Sequence, residues 1–513
     1  MVAIAMLLAC KREEATSWMT GVKGPIAKGS LSLSDLLPEE YLYVDSDQRW
    51  HFFIEKNLTD FRIDSLVEIP DTTIHKALTL PFLGGPFNIP AGTELYSQVQ
   101  NNYLQTQGAQ LKEVDIKEGF LYYSFVSYVN GELDCTCTLP GVTLNGSPIV
   151  LAATTAATAN DLYPSSATGA IDLSQYHIDF SGSSGNGYNQ IESLIQVRVA
   201  ADASSPAQVY GNDSIIIDLQ FVDTKIKFGR GYFGQHHFDI NETIAFGENV
   251  NLPQGQFLLN EASLGLTFRN FVGVDFQMHL DALNGIQNDV STSLIHPPLF
   301  NWLNFTRAEL SGNTATASTI QFMLDENNSN LTEFIGNLPN QINLQGDIEI
   351  NPLGNISLNN DFIFTDQTVE AIASLDIPLQ LATNGITLSD TIFLTNEAID
   401  LLARGKLLLV MDNYYPLQVT VNAQLNQENQ LFALLDDATL AAAGSSSPDQ
   451  QSVRSIFEIP ITEALIRSIR SGAFITLSLT LSTENYPNTQ ALLETYKVDY
   501  QLIGDGEIEV HYE

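Results

Sequence analysis

The chain has 513 residues, and its 60 acidic against 22 basic side chains give a net charge of −38. That balance excludes nucleic acid as a partner and excludes charge-driven binding to an anionic membrane. Hydrophobic residues make up 44% and charged residues only 16%, so the length supports about two to four packed domains whose solubility rests on Asn, Gln, Ser and Thr.

Residues 2–9 are apolar and close on Leu7-Leu8-Ala9-Cys10. A run this short reads as a secretory signal rather than a membrane span. Leu7-Leu8-Ala9-Cys10 resembles the lipobox of bacterial lipoproteins, whose chemistry needs a thiol after a small residue. The resemblance implies cleavage before Cys10, diacylglycerol on its sulfur and an acyl chain on the new amine. The next residues, Lys11-Arg12-Glu13-Glu14, resemble the surface-export signal of Bacteroidetes lipoproteins and imply display outside the outer membrane. Residues 10–33 then read as a lipidated tether. No later run approaches the roughly 18 to 20 apolar residues of a transmembrane helix.

From about Trp50 the pattern is that of strands. Val67-Glu-Ile is a candidate strand, and the Pro- and Gly-broken stretch 79–90 is a set of turns or an edge. Phe120–Val126 and Leu133–Leu139 alternate and flank Asn130-Gly131, a hairpin signal. Residues 152–170 are small and polar and mark a border or a long loop. Further strands are expected at 195–199, 215–222 and 225–228. Asn270-Phe-Val-Gly-Val-Asp-Phe-Gln-Met-His-Leu280 aligns without a gap on Asn413-Tyr-Tyr-Pro-Leu-Gln-Val-Thr-Val-Asn-Ala423. The shared pattern reads as a recurring hairpin of strand, Asn-centred turn and half-buried strand, with Asn130 heading a looser third copy. This texture resembles LEA-14/WHy sandwiches and the AsmA and tubular lipid-binding groups, a resemblance that transfers no functional residue. Short helices are expected at 330–339, 395–405 and 461–472, the last two from a Thr start and a Gly stop. Ile475, Leu477, Leu479 and Leu481 then alternate with polar residues, as one buried strand face requires.

Chemistry-bearing motifs are few. Cys135 and Cys137 share a strand face about 7 Å apart, too far for an easy disulfide, and read as buried thiols. Gly229-Arg-Gly-Tyr-Phe-Gly234 matches G-x-G-x-x-G, but no helical pattern follows to receive a pyrophosphate. In His236-His237-Phe-Asp239 neighbouring histidines point to opposite faces, so only His237 with Asp239, or His236 with Phe238, share a side; no metal site is assigned. Tyr232 and Phe233 read as core rather than as a ligand platform. No nucleophile elbow, zinc-protease motif or calcium loop occurs.

The expectation is an all-β chain of mainly antiparallel sheets, sandwich-like or extended and curved, with a few short connecting helices. Its parts are a signal at 1–9, the tether at 10–33, and β domains at 34–160, 161–320 and 321–513. The expected function is an outer-membrane, outward-facing lipoprotein that serves as a structural or interaction module. The membrane is its partner through Cys10, with another envelope protein, an extracellular polymer or a lipid as further partners. No catalytic, cofactor or metal residue is assigned and no enzymatic role is expected. A hydrophobe-binding β-groove and a polysaccharide-active hydrolase are the alternatives.

Overall fold

A computed structural model describes residues 17–511, except 36, 62–68, 70, 81–83, 107, 159–162, 246–256, 288–289, 338, 395–403, 428–429, 444–451 and 485. The chain is all-β and antiparallel throughout its named sheets. The helix expected at 395–405 and the strand at Val67-Glu-Ile fall largely outside the described residues.

The strands build one sandwich three times. In the first copy one side runs Thr72–Thr79, Ser214–Tyr232, Gln110–Ser127, Ser165–Asp172 and the other Glu94–Tyr103, Gln190–Val199, Leu133–Leu144, Ser147–Thr155, and the short strand His177–Asp179 pairs with both Gln110–Ser127 and Leu133–Leu144, joining the two sides into one ten-stranded sheet. The second copy repeats this order with Trp50–Phe61, Val369–Pro378, Ser263–Asn270, Ser318–Leu324 against His236–Ala245, Gln341–Ile350, Phe276–Gln287, Val290–Ser293. The third does so with Ser17–Ser32, Lys497–His511, Arg404–Asn413, Val453–Ile461 against Gln380–Phe393, Phe474–Ser482, Gln418–Gln427, Gln430–Leu440. The domain border expected at 320/321 falls inside strand Ser318–Leu324.

In each copy the first-named strand comes from the N-terminal segment. That segment crosses the array against the order of the copies, so Ser17–Ser32 serves the third, Trp50–Phe61 the second and Thr72–Thr79 the first. We call it the strap, its sheet the strapped sheet, and the opposing one the facing sheet. Residues 17–32, read from sequence as tether, are therefore a strand. Their glycines and lysines disfavour a strand locally. Pairing overrides this: the Tyr500 ring lies directly over Gly29, where any Cβ would collide with it.

Inward faces close the sandwiches. In the third copy Leu407, Leu409, Met411, Val419, Val421, Ile475, Leu477, Leu479 and Leu481 are all buried in one cluster. The alternation at 475–481 is thus borne out, each such side chain contributing about 1.5–3 kcal/mol. Short helices Leu331–Gly336 and Glu463–Arg470 occupy the same place in copies two and three, before the second strand of the facing sheet. The Thr462 hydroxyl accepts from the Leu465 amide to start the latter, and Gly472 follows its end at φ 89°.

The repeated Asn element is an arch, not a hairpin. Asn270 and Asn413 each end a strand of the strapped sheet, and the following strand belongs to the facing sheet. Both are fully buried. Asn270 Oδ1 accepts from the Val272 amide (2.8 Å) while its Nδ2 donates to Thr306 O (2.8 Å). Asn413 repeats this with the Tyr415 amide (2.9 Å) and Ala441 O (2.9 Å). In the first copy the arch is headed by Ser127 rather than Asn130: Ser127 Oγ accepts from the Val129 amide at 3.1 Å. Ser127, Asn270 and Asn413 are evenly spaced, 143 residues at each step (127 to 270, 270 to 413). Neither Asn130 nor Gly131 has positive φ, as a two-residue hairpin turn would need. The hairpin turn of that type is Asn145-Gly146, at φ 50° and 78°, joining Leu133–Leu144 to Ser147–Thr155.

The copies join head to tail. Asp361–Phe364 of the second copy extends the first by pairing with Phe228–Gly231, and Phe228 meets Phe364 at 4.9 Å between ring centroids. Beneath them Asp361, fully buried, takes Arg307 Nη1 at 3.1 Å and Asn351 Nδ2 at 3.0 Å. The third copy joins the second through Leu492, which accepts from the Trp50 amide and donates to Leu379 O, beside the pairing of Gln490–Ala491 with the start of Gln380–Phe393. The arch end of each later copy therefore faces its predecessor. Among the described residues, no other copy packs on the first copy's arch end at one tip of the array or on the third copy's opposite end at the other.

Candidate functional site

Cys10 and Lys11-Arg12-Glu13-Glu14 lie outside the described residues. Cys135 and Cys137 share the inward face of Leu133–Leu144 and are free and buried. Burial pushes both thiols up to about 12, with Asp134 adding to the effect on Cys135. With Cys10→Ser in place, a thiol reagent at pH 8 is expected to titrate no cysteine in the folded protein and both after denaturation. Rapid reaction of either in the native state would contradict their placement.

Gly229 and Gly231 lie inside strand Ser214–Tyr232, and no helix begins at Gly234. Gly231 serves close approach, since a Cβ there would meet the Gln110 carbonyl. Phe233 is buried and Tyr232 half-buried, so both are core rather than platform. His236 stacks on Phe238 with its Nε2 2.8 Å from Phe233 O. His237 and Asp239 share the other side, 3.3 Å apart.

Two surfaces outside the sequence motifs stand out. The first is the outer side of the strapped sheet in copy one, where register sets two rows across four strands. His75, Asp218, Ser124 and Thr168 form one, and Thr73, Gln220, Tyr122 and Ala170 the next. A cleft of about 530 Å³ opens over Tyr122, Ser124, Asp218 and Gln220. Phe120 lies beside Tyr122, their ring centroids 6.1 Å apart, and both are more than two-fifths exposed. Exposed aromatic faces bordered by amide, hydroxyl and carboxylate groups offer an apolar surface with orienting hydrogen bonds. The same sheet in copy three is ionic instead, with Lys406–Glu458, Lys23–Asp505 and Arg454–Asp412 pairs. The strand expected at 120–126 already places Phe120 and Tyr122 on one face; what sequence lacked was Asp218 and Gln220 beside them.

The second surface is the end of copy three opposite its arch. Phe393, Leu431 and Phe432 are exposed there, Phe393 at 74%, and the Phe393 ring lies tilted against Phe474, 5.7 Å between centroids. A cleft of about 310 Å³ runs beside them, lined by Leu425, Phe432, Leu434, Ile459, Pro460 and Leu465. Pairing places the start of the strap at this same end: Phe393 lies opposite Phe474, Arg404 opposite Glu507, and Ser17 opposite His511. Among the described residues no helix is long and apolar enough to cross a membrane.

No family profile matches the chain, and no curated protein matches it. Among solved structures, one similar chain is a protein of Parabacteroides distasonis described as secreted. It is 15% identical, with 53% of this chain and 83% of that chain covered and a TM-score of 0.29. A likeness at that level assigns neither a family nor an activity.

Proposed function

We propose that the chain is an outward-facing lipoprotein of the bacterial outer membrane that serves as an interaction module. Acyl chains on Cys10 hold copy three against the bilayer, and copy one is carried outward. The observation that carries this reading is the coincidence of the strap's start with the apolar tip of copy three. Cys10 precedes Ser17 by seven residues, a reach of at most roughly 25 Å. Stable anchoring takes more than one membrane signal; Phe393, Leu431 and Phe432 supply apolar contact that a body of charge −38 cannot supply electrostatically. The same charge repels acidic polymers, so the ligand suited to the Phe120–Tyr122 face is a neutral extracellular polymer.

Cys10→Ser is expected to move the protein from the membrane fraction to the soluble one, and Tyr122→Ala to abolish retention on neutral polysaccharide. A Cys10→Ser protein still bound to membranes would sink the anchor. Equal retention of Tyr122→Ala and wild type on every glycan tried would sink the polymer face.

A further inference from the structure

The three facing sheets provide an internal comparison. In copy two, Asp239, Asp347 and His279 form one cross-strand row, with Asp347 directly opposite both others. The same lattice points hold Ser97, Gln196 and Thr136 in copy one. In copy three they hold Ser389, Ser478 and Asn422. The sandwich therefore closes on neutral hydroxyls and amides at these positions. Copy two instead sets two carboxylates face to face on neighbouring strands, a destabilising arrangement when nothing lies between them, and flanks them with imidazoles.

We propose that this face binds a divalent transition-metal ion of the zinc class, with Asp347 as its central ligand. His237 Nε2 lies 3.3 Å from Asp239 Oδ1 and 3.5 Å from Asp347 Oδ1. Donors about 2.0–2.1 Å from a tetrahedral zinc are themselves about 3.3–3.4 Å apart, so these spacings fit one ion between the three groups. The other ring nitrogen, Nδ1, faces Glu349 Oε1 at 4.0 Å, and Gln277 Nε2 holds that carboxylate at 2.5 Å. The 4.0 Å separation is too long for a hydrogen bond, so Glu349 adds negative charge behind the ring without fixing its tautomer. A second set, His279, Asp281 and Asp347, shares the central carboxylate. There His279 Nδ1 is 3.1 Å from Asp281 Oδ1, and Trp302 packs against the ring at 5.2 Å. Asp281 sits at a β-bulge, a local register shift between Leu280 and Ala282. Imidazole with carboxylate favours zinc, cobalt, nickel or copper over calcium and magnesium, which take oxygen donors.

The test is calorimetric titration of the full chain carrying Cys10→Ser with zinc chloride, in physiological salt with excess magnesium to occupy the acidic surface. Saturable binding is expected, of one ion or of two that share Asp347. Asp347→Asn and His237→Ala are each expected to weaken it by roughly tenfold or more, the scale at which losing even an outer partner reduces affinity. Ser478→Ala, the equivalent of Asp347 in copy three, should leave it unchanged. Zinc is also expected to raise the melting temperature of the wild type and not of Asp347→Asn. That variant keeps the side chain's size and removes a repulsion, so without zinc it should melt no lower than wild type. Absence of saturable binding, or wild-type affinity in both Asp347→Asn and His237→Ala, overturns the proposal and leaves only counter-ions of an acidic surface.

Discussion

A chain beginning at Leu33 is expected to lose the cooperative melting of copy three and to associate through its C-terminal strand. Removing the strap's first strand strips Lys497–His511 of every partner from Ser17–His511 to Ser32–Lys497. A long strand edge with unpaired amides and carbonyls is a template for another chain. Burial is lost as well: Leu31 is 2% exposed in the intact protein, and such a side chain contributes about 1.5–3 kcal/mol. Tyr500, whose ring covers Gly29 and whose hydroxyl donates to Asp390 on the facing sheet, loses one of its two supports. A loss of about 3 kcal/mol or more is a large part of the roughly 5–15 kcal/mol that stabilises a domain. Light scattering and a melt with the strand absent, then with a peptide of residues 17–32 added, decide the matter. Expected are dimers or larger species and an early transition, both reversed by the peptide. A monomer with unchanged melting would show that the strap decorates copy three rather than completing it.

The comparison with what sequence alone allows turns on partners. Strand positions follow from period-two alternation, which the chain states openly at 475–481 and 133–139. Which strand pairs with which has no local signal, because Ser17 finds His511 through a closed sandwich rather than through composition. The glycine-rich segment at 17–32 reads as a tether for that reason. Asn-Gly at 130–131 and at 145–146 is the same dipeptide, yet only the second turns a hairpin, because Ser127 has already capped the chain's passage between sheets. The alignment of Asn270 on Asn413 exposes the repeat, while the first copy stays hidden behind a serine in place of asparagine. At the candidate metal face, His237 and Asp239 are visible as a same-face pair. Asp347 and His279 join them only through registers between strands far apart in the chain.

Asn413→Ala is expected to be among the most damaging single substitutions in the chain. The amide is fully buried: it accepts from the Tyr415 amide and donates to Leu417 O (3.0 Å) and Ala441 O (2.9 Å). Alanine leaves a buried donor and two acceptors to find other partners, and an unsatisfied buried group costs about 1–3 kcal/mol. The carbonyls have second lone pairs and tolerate this better than the amide does, so the expected loss is about 3–5 kcal/mol. Asn270 holds the Val272 amide and Thr306 O, which predicts about 2–4 kcal/mol for Asn270→Ala on the same scale. Ser127 accepts from the Val129 amide, a single hydrogen bond among the described residues, so Ser127→Ala should lose about 1–2 kcal/mol. Asn413→Asp separates hydrogen bonding from size: it keeps the acceptor for Tyr415 but turns a second oxygen toward two carbonyls, and should be no milder than alanine. Urea denaturation of the four variants tests the ranking. If Asn413→Asp were near wild type, the side chain would be filling space rather than tying the two sheets together. An ordering that follows the number of hydrogen bonds would instead mark the arch as the device that recurs every 143 residues, with asparagine in two copies and a weaker serine in the first.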